Sequence, residues 1–344
     1  MNPSPHLAIS RFVSTRPTDI DWLRGIVLFG QNSASYKFAL AKAIVTLSRE
    51  GHDAISLQNL ALPFALEVSA HLKSVPRQGT SKSSKFLESC RKYNAGEIEL
   101  DELRDLTVKH GFENVIDAFH VLGNTETTVR FFLDERKGST RGIRLTESLV
   151  GLKNDACTQT LREVESRWRL VETAWDLGLN RSLITFDETE GLLIADSRRV
   201  PVTSARDALN GYQKGQCFYC YRDISTIQGH PALADVDHLI PHALQRRQVV
   251  TGLDGVWNLV LACKDCNRGP GGKFVSMPNL NYLDRLAHRN DFLISSHHPL
   301  RETLMLQTGQ TPDARTTFLQ SVYDTAKTHN PTDWQTVELQ APRF

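Results

Sequence analysis

The chain has 344 residues, more than one hydrophobic core usually organises, so two or three packed units are expected. With 40 basic and 39 acidic residues the formal net charge is +1, which excludes a global field for polyanions; any nucleic-acid contact must come from local patches. No run approaches the roughly 18 unbroken apolar residues of a membrane span, and Met-Asn-Pro-Ser-Pro-His lacks the charged start of a leader, so the chain reads as cytoplasmic with no membrane partner.

From Asp19 to about Gly123 the apolar residues recur at helical spacing, as at Tyr36, Leu40, Ile44 and Leu47 before Gly51. Further helices are predicted over Leu57–Lys73, over Leu100–Lys109 closed by Gly111, and over Phe112–Leu122 closed by Gly123. The stretch Gly30-Gln-Asn-Ser-Ala-Ser-Tyr-Lys37 superficially resembles a phosphate loop. It lacks a second glycine before the lysine and a preceding buried strand, and reads as a helix start with a serine cap. Residues 1–125 are therefore expected to be a helical region, open to protein partners.

Residues 126–205 change character. Val129–Leu145 reads as a hairpin turning at Lys137-Gly138-Ser139-Thr140, and Asn154–Leu177 as a long amphipathic helix carrying Leu161, Val164, Trp168 and Val171. A second hairpin, Leu183–Phe186 with Leu192–Ala195, and a short helix over Pro201–Tyr212 follow. Residues 276–344 return to helical spacing through Asn281–Leu286, after Pro299, and over Pro312–Ala326. His297 and His298 with Arg301 and Glu302 read as a polar turn before a helix. The basic runs Lys73–Lys92 and Arg136–Arg144 read as solvated faces.

The segment 206–275 carries the chemistry. Of six cysteines, Cys90 and Cys157 read as reduced, partly buried thiols. The other four form two Cys-x-x-Cys pairs, Cys217 with Cys220 and Cys263 with Cys266. Two such pairs supply the thiolates of a closed tetrahedral site for structural Zn2+. A thioredoxin-type pair would sit at a helix start in a βαβ unit, and Phe218 and Tyr219 are unusual between redox cysteines. The intervening chain is longer than in short zinc ribbons and holds Asp235-Val-Asp237-His238-Leu-Ile-Pro241 and, in a strand expected over Gly255–Cys263, Asn258; Asn267 directly follows Cys266.

Phosphodiester hydrolysis needs an activated water, neutralisation of charge on phosphorus and help for the leaving oxygen. Asp237 and Asn267 are oxygen donors suited to a hard cation. His238 is the nearby side chain whose ordinary pKa, about 6.5, lets it accept a proton at neutral pH.

Over about Gly211–Lys273 the chain resembles the HNH nuclease family, through Asp237-His238, Asn258 and Asn267 between the cysteine pairs. The resemblance implies an α+β protein: a mainly helical N-terminal region, a zinc-stapled ββα-metal module and a helical C-terminal tail. It implies a metal-dependent endonuclease that hydrolyses DNA phosphodiester bonds, one strand per active site, with His238 as general base. Asp237 and Asn267 would hold Mg2+ or Mn2+, and Asn258 would brace the loop carrying the base. Arg268 and Lys273, in the glycine-rich exit after Cys266, are the expected DNA-backbone contacts. The layout is also similar to bacterial HNH proteins acting in restriction or against phage. The alternative is a catalytically silent zinc module that binds nucleic acid or a protein partner.

Overall fold

The computed structural model describes residues 17–29, 35–79, 84–122, 125–177, 184–187, 190–195, 200–296, 298–337 and 339–344. They group into two units, Arg16–Asp176 and Leu177–Phe344, so the segment 126–205 is shared between them. The class is α+β, with helices in both units and short antiparallel sheets.

In the first unit the helix Tyr36–Arg49 stops before Gly51, whose φ of +88° suits a residue without a Cβ. Its Phe38, Ile44 and Val45 are buried in one core with Phe64 and Val68 of the helix Leu57–Ser74. That second helix starts where the Ser56 hydroxyl accepts the Asn59 N–H at 3.2 Å. The long helix Asn154–Leu177 spans the predicted residues and buries Val164, Trp168 and Val171 in the same core. A buried ion pair ties it down: Arg24 donates twice to Glu163, at 2.8 and 3.0 Å.

The hairpin Phe132–Glu135 with Gly142–Leu145 forms as predicted and gains an unforeseen third strand, Ala54–Ser56. Approach there is so close that a Cβ on Gly142 would lie 2.0 Å from the Ile55 carbonyl oxygen. The helix predicted over Phe112–Leu122 is reduced to Val115–Ala118, followed by Val121–Leu122 paired with Thr125–Glu126. Asn114 sits at φ +67°, which interrupts a helix, and the His120 carbonyl accepts Thr127 N–H at 2.8 Å in a turn instead.

In the second unit the strands Ile184–Asp187, Leu192–Ala195 and Val200–Ser204 form an antiparallel sheet in that order. The last strand displaces the start of the predicted helix, which runs only over Ala205–Gln213. Pro201, lacking an N–H, is tolerated because this is an edge strand beside a register shift at Leu193/Ile194. The Gln213 amide then clamps the next hairpin, donating to Leu261 O at 2.9 Å and accepting Leu261 N–H at 2.8 Å.

That hairpin pairs Asp235–His238 with Leu259–Ala262, His238 opposite Leu259, and leads into the short helix Lys264–Arg268. Three helices follow, Leu280–Ser295, Arg301–Thr308 and Pro312–His329. Buried Arg289 and Asn290 of the first donate to the Trp257 carbonyl, at 3.0 and 3.2 Å, and so fix the turn before the hairpin's second strand. His297 lies outside the described residues; His298 is buried and its Nδ1 accepts Leu300 N–H at 3.2 Å, a polar turn. Residues 30–34 of the phosphate-loop-like stretch also lie outside them, and the Ser35 hydroxyl donates to Gln78 O at 3.3 Å rather than capping the helix. No helix among the described residues is long and apolar enough to cross a membrane.

Candidate functional site

The four cysteines converge. Cys217, Cys220, Cys263 and Cys266 are buried, with sulfurs within 4.8 Å of one another. Tetrahedral zinc with Zn–S bonds of about 2.3 Å separates its sulfurs by about 3.8 Å. The Cys220 and Cys263 sulfurs stand 3.7 Å apart, so the donor set fits such an ion.

Backbone geometry presets both pairs. Cys217 N–H donates to Arg222 O at 2.8 Å around a turn in which Tyr221 takes φ +61°, and Phe218 N–H donates to Leu261 O at 2.8 Å, tying this knuckle to the hairpin. Cys263 is the N-cap of Lys264–Arg268, and its carbonyl accepts Asn267 N–H at 3.0 Å. Hydrogen bonds from Cys217, Cys220 and Cys266 hold the Cys263 thiol far below its usual range, whereas burial raises Cys217, so the four thiols hold their protons unequally. Arg285 of Leu280–Ser295 donates to the Phe218 carbonyl and lies 4.3 Å over the Tyr221 ring. The C-terminal residues cross the same knuckle, Gln340 N–H donating to Cys220 O at 2.8 Å.

Strand alternation divides the remaining sequence-predicted residues. Asp235 and Asp237 share the face met by the helix Lys264–Arg268, whereas His238 stacks on His242, ring centroids 4.8 Å apart and planes 16° from parallel. Asp237 is buried; its Oδ2 accepts the Tyr219 hydroxyl at 2.6 Å and lies 3.2 Å from the Lys273 ammonium. Burial raises the Asp237 pKa above the usual carboxylate value against the opposing pull of Lys273 and Tyr219. Burial also pushes His238 down to about 3, with His242, Lys273 and Arg246 adding to the effect, so its imidazole is neutral at physiological pH.

Lys273 corrects an expectation. Proposed from sequence as an exposed phosphate contact, it is fully buried, with its ammonium 3.0 Å from His238 O and 3.3 Å from Phe274 O. The glycine-rich exit folds back rather than outward: Lys273 N–H donates to Cys266 O at 2.7 Å, and a Cβ on Gly272 would sit 2.7 Å from Asp265 O. Arg268 is 60% exposed, but its guanidinium pairs with Asp235 at 2.8 Å. Asn267 donates its amide nitrogen to the same carboxylate at 3.1 Å, which leaves its carbonyl oxygen as the end available to a ligand.

Asn258 closes a 3-10 turn, Val256–Asn258, just before the strand in which it was expected. Its amide is fully buried and accepts Ile240 N–H while donating to Ile240 O and Leu253 O, all at 2.9 Å. That fixes the loop following His238.

Asp235 and Tyr219 escaped the sequence reading. The signals were present: two aspartates two apart on one strand share a face, and an aromatic pair inside a cysteine knuckle is out of place in a solvated turn. A second group, Glu67, His71 and Glu165, also gathers ligand atoms within 4.8 Å. Lys42 fills it, its ammonium 2.5 Å from Glu67 and 2.9 Å from Glu165. His71 is stacked on Trp168 at 3.6 Å and hydrogen-bonded to Glu165 at 3.1 Å and to Glu172 at 2.7 Å.

Within the basic runs Arg136 pairs with Asp134 and Asp117, Arg144 with Glu135, and Arg91 with Glu88. Comparison with protein-family models, with curated proteins and with solved structures finds no match.

Proposed function

We propose that the chain is a metal-dependent endonuclease that hydrolyses DNA phosphodiester bonds, with His238 as general base. The observation that carries the reading is one arrangement. A two-stranded hairpin and a short helix are joined through four clustered cysteines, Asp237 and His238 end the first strand, and Asn267 lies in the helix.

Oxygen donors remain for a hard cation, although the Lys273 ammonium already lies against one of them: Asp237 spends Oδ2 on Tyr219 and Lys273, and Asn267 has its amide nitrogen committed to Asp235. A bound Mg2+ or Mn2+ would supply charge neutralisation at the phosphate and support for the leaving oxygen. The protein's own part is to hold the His238 imidazole on a loop locked by Asn258, where it would take the proton of the attacking water; the burial that keeps it neutral also weakens it as a base. The bacterial defence or restriction setting belongs to this proposal on resemblance alone.

A supercoiled-plasmid assay with Mg2+ or Mn2+ tests it. Wild type is expected to nick. His238→Ala, with unchanged melting, is expected to lose on the order of 100-fold or more in rate, the scale of general-base catalysis. No nicking by wild type with either ion would leave the silent zinc module as the reading.

A further inference from the structure

Directly after buried Lys273, Phe274 and Val275 are 55% and 61% exposed. Phe274 takes φ +46°, a left-handed conformation that bulky residues rarely adopt. Its neighbours hold it there. Phe274 N–H donates to Asn267 O at 2.8 Å, and its carbonyl accepts the Lys273 ammonium, which also binds His238 O. Ser276 N–H donates to Lys273 O at 2.8 Å, and the Asn330 amide donates to Val275 O at 2.7 Å. The backbone is thus pinned on both sides while an aromatic side chain is displayed to solvent. An exposed position in that conformation would ordinarily favour glycine or asparagine. Strain kept at an over-determined position beside a candidate catalytic residue points to function.

We propose that Phe274, with Val275 beside it, is a stacking platform for a base of the nucleic-acid strand held at the site. The proposal rests on the nuclease reading for the nature of the strand. Its geometry comes from the backbone bonds that connect Phe274 to Asn267 and, through one ammonium, to His238. An aromatic face stacks on any base and so adds affinity without sequence choice. An exposed apolar wedge beside the site favours strands whose bases are already unpaired or readily unstacked. Arg268, one residue beyond Asn267 on the same short helix, is exposed but paired with Asp235, and would meet a phosphate only by giving up that pair.

The test compares wild type with F274W, F274A and F274G on oligonucleotides carrying 2-aminopurine, single- and double-stranded, in Ca2+ so that binding is read without turnover. Expected are quenching of 2-aminopurine by wild type and F274W, its loss in F274A and F274G, and about tenfold weaker binding by the latter two. Melting should be unchanged in F274A and no lower in F274G, which relieves the left-handed backbone. Wild-type affinity and quenching in F274A would overturn the proposal. If wild type binds and quenches but never nicks plasmid in Mg2+ or Mn2+, the platform stands and the nuclease reading falls. Nicking with F274A indistinguishable from wild type sinks the platform alone, and absence of nucleic-acid binding by wild type sinks both.

Discussion

Two neighbouring cations, Arg268 and Lys273, look alike in sequence and differ completely in the fold. Lys273 is fully buried among Asp237, His238 O and Phe274 O, so Lys273→Met would strand a buried carboxylate and cost roughly 3–5 kcal/mol. Arg268→Ala, at a 60% exposed pair, should cost about 0–1 kcal/mol. Equilibrium denaturation of the two variants checks the contrast, and equal losses would contradict the buried pairing of Lys273 with Asp237. The residue types were legible because thiolates, an aspartate-histidine pair and asparagines are chemically distinctive. Burial was not, because whether a lysine after a glycine-rich loop points out or folds back depends on backbone bonds such as Lys273 N–H to Cys266 O.

Single elements add only part of the stability; pairs of elements do the rest. The knuckles and the hairpin meet at the four sulfurs, so zinc affinity is folding free energy for that region. Cys263→Ser should therefore fall well below one zinc per chain in a colorimetric metal assay and lose solubility, and near-stoichiometric zinc would refute the tetrathiolate site. In the first unit, helices Leu57–Ser74 and Asn154–Leu177 meet through His71, Glu165 and Glu172. Burial lowers the His71 pKa, but the hydrogen bonds to Glu165 and Glu172 outweigh it and leave it raised above 6.5. A raised folded value contributes stability that is full below the unfolded pKa and is lost as pH climbs through the folded one. Glu165 acts at the other end, its pKa depressed well below 4.5 by His71 and Lys42 against its own burial, so its contribution fades only as pH falls below that value. Denaturation midpoints should decline as pH rises above about 6.5, and His71→Gln should flatten that decline. A wild-type profile level from neutral to alkaline pH would remove this role.

At the scale of the whole molecule, a net charge of +1 leaves nucleic-acid affinity to local features, and the ion pairs of Arg136, Arg144 and Arg91 reduce the cations available for it. One candidate site per chain addresses one phosphate, so the plasmid assay should accumulate open circles before linear product; linear DNA appearing first would require two sites acting together. Sequence alone determined most helical spans, though not Phe112–Leu122 or the start of Pro201–Tyr212, together with the hairpin near Lys137 and the pairing of the four cysteines, because periodicity and Cys-x-x-Cys spacing are local properties of the chain. Tertiary structure alone decided that Ala54–Ser56 joins a distant hairpin, that Tyr219 binds Asp237, that Lys273 turns inward and that Phe274 is displayed in a left-handed backbone. Each of these depends on which backbone groups and charges from separated segments meet out of water, and no short window of residues encodes that meeting.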